Sequence, residues 1–308
     1  MKQIDIKKNF PFVSIIVIVY NMENTINRCL SSLECLNYPK DRYEIIVIDG
    51  GSTDQTLHLC KEFNVKCIVD KRRGRGLARN IGIKHSVGEI IAFVDADSEV
   101  LEDWLSFHVA GHSTDFVGAV GGAVINPHIT LSSKPAILLH YENFVEFDQK
   151  LPRRYVSYIP TCNASFKKDI LSSVGCFNET LDTYEDFFLS TKIIKAGYKI
   201  LFDPKAKILH YGIPPNMTLD SYICIENIWG KTHYKVQMIN KYIWGRLPMN
   251  KIVALLLGPS IVFARIAREL FKLFRFSNIT RNTFTLLPYL GIGGVAWATA
   301  YVKAVLLS

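Results

Sequence analysis

No Cys-x-x-Cys pair occurs in this chain. Its seven cysteines, at positions 29, 35, 60, 67, 162, 176 and 224, are odd in number and sit mostly among apolar neighbours. That pattern speaks against a disulfide framework and a zinc ribbon, and predicts reduced, buried thiols in a reducing compartment. Gly-x-Gly-x-x-Gly does not follow the first strand-like run, and Gly-x-x-x-x-Gly-Lys-Ser/Thr occurs nowhere. Dinucleotide-dependent hydride transfer and P-loop phosphoryl transfer both lose their fingerprint. Met1 to Phe10 is polar and basic, too short and too little apolar for a signal peptide, so the reading expects nothing to send the chain outside. Acidic residues are scarce in one region only. Residues 219–308 hold 11 basic and 3 acidic residues against 25 and 25 in residues 1–218, so the net charge of +8 belongs to the last 90. That excess accompanies hydrophobic segments rather than a folded basic face, which disfavours nucleic acid and points to anionic lipid headgroups.

What the chain does have is centred on Ile90 to Asp97, Ile-Ile-Ala-Phe-Val-Asp-Ala-Asp, an apolar run that fits a strand buried on both faces and ending in two carboxylates. If the backbone stays extended, Asp95 and Asp97 project to one side about 6 to 7 Å apart, a spacing that suits a hard divalent cation and a diphosphate. Upstream, strands over Val13 to Tyr20, Glu44 to Asp49 and Val65 to Val69 alternate with helices over Asn24 to Cys35, up to about Phe63, and near Leu77 to Ser86. Such β-α alternation predicts a mostly parallel, helix-covered sheet with ligands beyond the carboxyl ends of the strands. Tyr20-Asn21-x-Glu23, Asp49, Asp70 and Asp95-x-Asp97 all fall at those ends. The loop Lys71 to Asn80 is basic, and its guanidinium groups and helix start could face diphosphate charge, with Arg79 the stronger candidate.

Four motifs in order, Val-Ser-Ile-Ile-Val-Ile-Val-Tyr-Asn-x-Glu, Ile-Val-Ile-Asp-Gly-Gly-Ser-Thr-Asp-x-Thr, Gly-Leu-Ala-Arg-Asn-Ile-Gly-Ile and Phe-Val-Asp-Ala-Asp, resemble the GT-A glycosyltransferases of family 2 from about residue 11 to 212. The resemblance implies an inverting enzyme with a nucleotide-diphosphate sugar and Mg²⁺ or Mn²⁺. By it, Tyr20, Asn21, Glu23, Asp49 and Arg79 would surround the nucleotide, Asp95 the donor's sugar and phosphates, and Asp97 the metal. Asn163 would contact the acceptor, Asp186 would be the general base with Asp182 as fallback, and His210 would reach the metal or diphosphate. Other readings stand beside these: a turn asparagine at 163, a core or capping histidine at 210, and for Glu185 a first-turn charge complementing the helix dipole.

Ile213-Pro214-Pro215 marks a boundary between a catalytic domain, residues 1–212, and a helical segment, residues 213–308. Residues 219 to 243 place Tyr222, Ile225, Trp229, Val236, Ile239 and Ile243 on one helical face, as in an interfacial helix. The Gln-x-x-Arg-Trp signature of processive relatives is absent, which disfavours polymer synthesis. Residues 252–264 form an uncharged run of 13, read as interfacial or re-entrant, and residues 282–302 an uncharged run of 21, the best membrane span; a two-helix hairpin is the alternative. Arg265, Arg268, Lys272, Arg275 and Arg281 between them would stay cytoplasmic with the catalytic domain. The expected function is transfer of one sugar to a membrane-associated acceptor, a lipid-linked saccharide or polyprenyl phosphate. The alternatives are a tethered nucleotide-sugar-binding protein without turnover and a sugar nucleotidyltransferase.

Overall fold

The computed structural model describes residues 10–72, 74–181, 183–239, 250–276 and 285–307. Asp182, Ile243 and Arg281, which the sequence singles out, lie outside them. The described residues divide into two compact units: Met1–Ile125 with Pro152–His210, and Asn126–Leu151 with Tyr211–Ser308. The segment Asn126–Leu151 thus groups with the C-terminal helices, although the composition change lies at residue 213.

The first unit is built on a nine-stranded sheet. Its strands β1 (Val13–Val19), β2 (Tyr43–Asp49), β3 (Lys66–Val69) and β4 (Ile90–Asp95) pair in parallel in the order β3-β2-β1-β4. The apolar runs dictate this. In β1 and β4 nearly every side chain on both faces is buried, which only a strand in the sheet's interior, covered on both sides, permits. The helices α1 (Ile26–Glu34), α2 (Thr56–Cys60) and α3 (Arg75–His85) follow the first three strands. Helix α1 buries Ile26, Cys29, Leu30 and Leu33, the 3–4 spacing of a single apolar stripe.

Beyond β4 the chain departs from parallel winding. It turns at Ala96-Asp97 instead of staying extended, then forms β5 (Ser98–Val100), α4 (Trp104–Gly111), β6 (Val117–Ile125), β7 (Arg154–Val156), β8 (Asn163–Lys167), α6 (Lys168–Ser173), α7 (Glu185–Lys195) and β9 (Lys199–His210). Strand β8 inserts antiparallel between β4 and β6, β6 runs parallel to β9, and β5 and β7 pair antiparallel with β9. The sheet is therefore parallel in one half and mixed in the other. This arrangement carries β8's first residue to the tip of β4 and, through the register Ser98↔His210, the end of β9 to the residue after Asp97.

The second unit comprises α5 (Lys134–Phe144), α8 (Leu219–Ile239), α9 (Lys251–Leu256), α10 (Gly258–Phe276) and α11 (Leu287–Leu307). The face of α8 that packs inward differs from the expected apolar one: the buried stripe runs Tyr222, Glu226, Gly230, His233, Gln237, while Ile239 is exposed. Polar partners explain it. Arg265 of α10 donates to both Glu226 oxygens at 3.0 and 3.1 Å, and Tyr301 of α11 donates to Gln237 Oε1 at 2.7 Å. Arg265 also donates to Glu269 and lies 3.7 Å from Glu142, while Arg268 and Lys272 pair with Glu269 and Lys272 with Glu146. Three of the five basic residues expected to stay cytoplasmic are thus paired with carboxylates. Where α8 crosses α11, Gly230 lets the backbones touch, since a Cβ there would stand 2.1 Å from the Trp297 carbonyl oxygen. Helix α11 is long and apolar enough to cross a membrane by length and composition, 44% of its most apolar window being buried against its neighbours.

Candidate active site

The carboxyl ends of β1 and β4, with the start of α3, enclose a pocket of about 350 Å³ lined by Val19, Tyr20, Gly50, Arg75, Arg79, Asp95 and Asp97 among others. Its position at the sheet rim is the one that parallel winding reserves for ligands.

On the β1–β2 side the expected nucleotide contacts divide. Tyr20 lines the pocket and is 40% exposed. Asp49 does not face it: its carboxylate is 1% exposed and accepts from Gly51 N, Ser52 N and Ser52 Oγ, which fixes the turn after β2. Three donors thus occupy a carboxylate that has about four acceptor sites, and in this structure Asp49 holds the turn after β2. Asn21 and Glu23 are exposed, yet Asn21 Oδ1 accepts from Thr53 N at 2.9 Å and Glu23 Oε2 from Gln55 N at 3.0 Å. They tie the loops after β1 and β2 together, and neither lines the pocket.

Arg79 is likewise redirected. Its guanidinium is buried, donates to Glu185 Oε1 at 2.5 Å, lies 3.7 Å from Asp95 Oδ1 and stacks over the Phe177 ring. Its charge is balanced by these carboxylates, so it braces the rim, and it also lines the pocket. Glu185 is correspondingly 4% exposed, not a solvated helix-start charge. Arg72 and Arg75 of the basic loop both line the pocket; the exposed Arg75 is near enough to Asp97 to hold that carboxyl down, whereas Arg72 is engaged by Asp70 at 2.6 Å. Gly76 sets α3 at this distance, because a Cβ there would approach the Asn178 carbonyl oxygen to 2.6 Å.

The two carboxylates of the Asp95-x-Asp97 motif reach the same place by a turn. Asp97 Oδ1 is buried without a hydrogen-bond partner and stands 3.6 Å from His210 Nε2. Burial raises the Asp97 carboxyl, and His210 opposes the rise. Asp95, Cys162 and His210 bring a carboxylate oxygen, a sulfur and a ring nitrogen within 4.8 Å of one another. An orphaned buried oxygen beside such a donor set fits a divalent cation. Cys162 carried no expectation in the sequence beyond a buried thiol; its adjacency depends on β8 pairing with β4, which no local pattern announces.

Asn163 does not reach an acceptor. It is fully buried, its Oδ1 accepts from Trp104 Nε1 at 2.7 Å and His108 Nε2 at 2.9 Å, and its Nδ2 donates to the carbonyls of Ala123 and Ala206. With Nδ2 donating twice and Oδ1 accepting twice the amide is saturated, which corrects the acceptor-contact reading to a structural one. The His108 ring must donate through Nε2, so its Nδ1 accepts from the Ser165 hydroxyl, and burial pushes its pKa down to about 4, consistent with that neutral form.

Asp186 is the second residue of α7, and the helix is preceded by Tyr184, whose left-handed φ of 64° is the kind of backbone outlier found at functional sites. The Asp186 carboxyl is half-buried and accepts from Phe187 N at 2.7 Å. Desolvation first and the Glu185 charge second raise its pKa to about 7, against the pull of Arg79. Such a group is half-ionised at neutral pH, where a general base works best.

The pattern described as Glycosyl transferase family 2 matches residues 14–175, more than half of the chain. Glycosyltransferase AglE of Haloferax volcanii is 32% identical over 198 residues, which cover 62% of this chain and 64% of AglE. A Methanococcus voltae protein named dolichyl N-acetyl-alpha-D-glucosaminyl phosphate 3-beta-D-2,3-diacetamido-2,3-dideoxy-beta-D-glucuronosyltransferase is 26% identical over 215 residues, 65% of this chain and 67% of its own. The matched region thus spans about two thirds of these relatives' lengths. Among solved structures, the mannosyltransferase PcManGT from Pyrobaculum calidifontis, in complex with GDP-Man and Mn²⁺, superposes with a TM-score of 0.62 at 20% identity, over 96% of this chain and 86% of that one. That likeness is one of fold, the GT-A fold. On the extent of the family match, the chain belongs to glycosyl transferase family 2.

Proposed function

We propose that this chain is an inverting glycosyltransferase that moves one sugar from a nucleotide-diphosphate donor to a hydroxyl of a membrane-associated, lipid-linked acceptor. The observation that carries the reading is Asp186: a half-buried carboxyl with its pKa raised to about 7, in the same unit as the rim carboxylates Asp95 and Asp97. In the proposed reaction Tyr20 borders the nucleotide, Arg75 meets diphosphate charge at the start of α3, and the Arg79–Glu185 pair holds Asp95 and the first turn of α7 in register. Asp97 and His210, with Asp95, would hold Mg²⁺ or Mn²⁺, which when bound supplies neutralisation of the leaving diphosphate. Asp186 takes the proton of the acceptor hydroxyl as its oxygen bonds to the anomeric carbon on the face opposite the departing diphosphate.

The M. voltae relative's name, a transferase acting on a dolichyl-phosphate-linked sugar, supports a lipid-linked acceptor, and the exposed apolar residues of α9 and α11 support membrane attachment. The catalytic domain is placed on the cytoplasmic side in this reading. Incubating the full chain with radiolabelled UDP- and GDP-sugars and a membrane extract, and resolving both products, tests it. A labelled lipid with released nucleoside diphosphate is expected. Released pyrophosphate would make the chain a nucleotidyltransferase, and donor binding without either product would make it a binding protein.

A further inference from the structure

Cys162 lies one residue before the saturated Asn163 amide, so the network that anchors β8 also fixes where this thiol sits. It is 5% exposed, and its sulfur, an Asp95 carboxylate oxygen and a His210 ring nitrogen all fall within 4.8 Å of one another. Those three come from separate strands, β4, the start of β8 and the end of β9, and so from separate stretches of sequence. A cation bound at about 2.3 Å from a thiolate and about 2.0 to 2.1 Å from an imidazole holds the two donors no more than roughly 4.4 Å apart even on opposite sides. Three donors on one ion cannot all lie opposite one another, and at tetrahedral angles they stand about 3.6 Å apart, so the observed set closes on an ion with side-chain shifts of up to about 1 Å. The buried, unpartnered Asp97 Oδ1, 3.6 Å from His210 Nε2, is a second and independent sign of a ligand at this spot.

We infer that Cys162 is a sulfur ligand in the cation site, completing an Asp95–Cys162–His210 set that selects borderline and soft divalent cations over Mg²⁺. The inference rests on the cation-assisted reading above and adds the class of ion the site takes. Mg²⁺ demands near-octahedral oxygen ligands and keeps much of its water, so a thiolate and an imidazole offer it little. Sulfur and nitrogen donors instead favour Co²⁺, Zn²⁺ and Cd²⁺, and binding them releases the thiol proton to solvent. A cation supplied to this protein therefore competes on donor softness as well as charge.

The test uses the purified full chain in detergent, titrated with CoCl₂ alone and then with UDP or GDP present. Wild type is expected to develop a sulfur-to-cobalt charge-transfer absorption that Cys162→Ser lacks and that Cys35→Ser and Cys224→Ser, at the exposed cysteines, retain. In competition against Mn²⁺, followed by the electron paramagnetic resonance of the free ion, Cys162→Ser should weaken Cd²⁺ binding by at least roughly tenfold while Mg²⁺ binding stays nearly unchanged. Losing a partner that only orients a ligand already costs about 10- to 100-fold in metal affinity. Should the serine variant misfold by near-ultraviolet circular dichroism, the wild-type cobalt spectrum decides without it. Cobalt bound with no sulfur band, or Cd²⁺ affinity indifferent to Cys162→Ser, overturns the inference and leaves the cation-assisted reading intact. No divalent cation bound by wild type under any condition overturns both.

Discussion

At the first turn of α7 two adjacent carboxylates divide the work between them. Glu185 pairs with Arg79, and the same burial that makes that pair tight leaves Asp186 short of water and beside the Glu185 carboxylate, which together raise it to about 7. The sign of the consequence follows. An unfolded Asp ionises near 3.9, so between about pH 4 and pH 7 the folded chain holds a proton that the unfolded chain has lost, and stability falls as pH rises through that window. Asp186→Asn should remove this slope and melt no lower than wild type above pH 7, while turnover with a hydroxyl acceptor drops by about 10² to 10⁴. The wild-type rate should climb with pH through about 7, and the variant's residual rate should not. Early melting with normal turnover would move the base elsewhere or point to a phosphate acceptor that needs none. Glu185→Gln, which the dipole reading of the sequence would rate as mild, is expected to be severe: it strands buried Arg79, at a cost of about 3 to 5 kcal/mol visible in urea denaturation. Asp97→Asn should abolish transfer with the fold retained, as EDTA should in wild type; activity that survives both would remove the cation from the reaction. Of these residues, Asp97 and Asp186 were legible in the sequence as motif positions. The burial of Arg79 and Asn163 was not, because their partners are set by the pairing of distant loops and strands; Arg79 and Glu185 are 106 residues apart.

At the scale of elements, the parallel half of the sheet was readable from local pattern because β1, β2 and β4 are buried on both faces and carry continuous β-branched runs. The mixed half was not, because β6 and β8 are rich in Gly, Ala and Ser, and their partners are chosen by register rather than by composition. Helix α3 shows how an element positions charge. Gly76 has no room for a side chain against the 178–179 backbone, and the same turn of α3 carries Arg75 and Arg79. Gly76→Ala should push α3 outward, costing about 1 to 3 kcal/mol of stability. The displacement should also raise the KM for the donor more than it lowers kcat, since in the proposed reaction Arg75 meets charge present in both ground and transition states. A donor KM unchanged in that variant would mean that α3 does not carry a donor contact.

At the scale of the whole molecule, the proposed function requires an attachment of the chain to the membrane that would hold its acceptor. Helix α11 uses one face on its neighbours, burying Leu290, Gly293, Gly294, Trp297 and Tyr301, and leaves Ile292 and Val295 outward, the latter 52% exposed. Helix α9 exposes Ile252, Leu255 and Leu256. These two elements attach differently. A spanning α11 resists an alkaline wash, and a charge on its outward face near the centre costs about 2.5 to 3.5 kcal/mol of insertion. An interfacial α9 loses only the burial of one side chain, about 1.5 to 3 kcal/mol, with no effect on alkali resistance. Deleting residues 282–308 confounds the two, since it also uncovers the stripe of α8 around Gly230 that meets Trp297. Val295→Asp leaves that stripe covered. We expect it to convert an alkali-resistant membrane protein into one that the wash releases, with soluble-acceptor activity retained, and Leu256→Asp to weaken vesicle binding while the remaining bound fraction stays alkali-resistant. If Val295→Asp pellets with membranes after the wash as wild type does, α11 is a packed core helix and attachment belongs to α9 and the exposed face of α10.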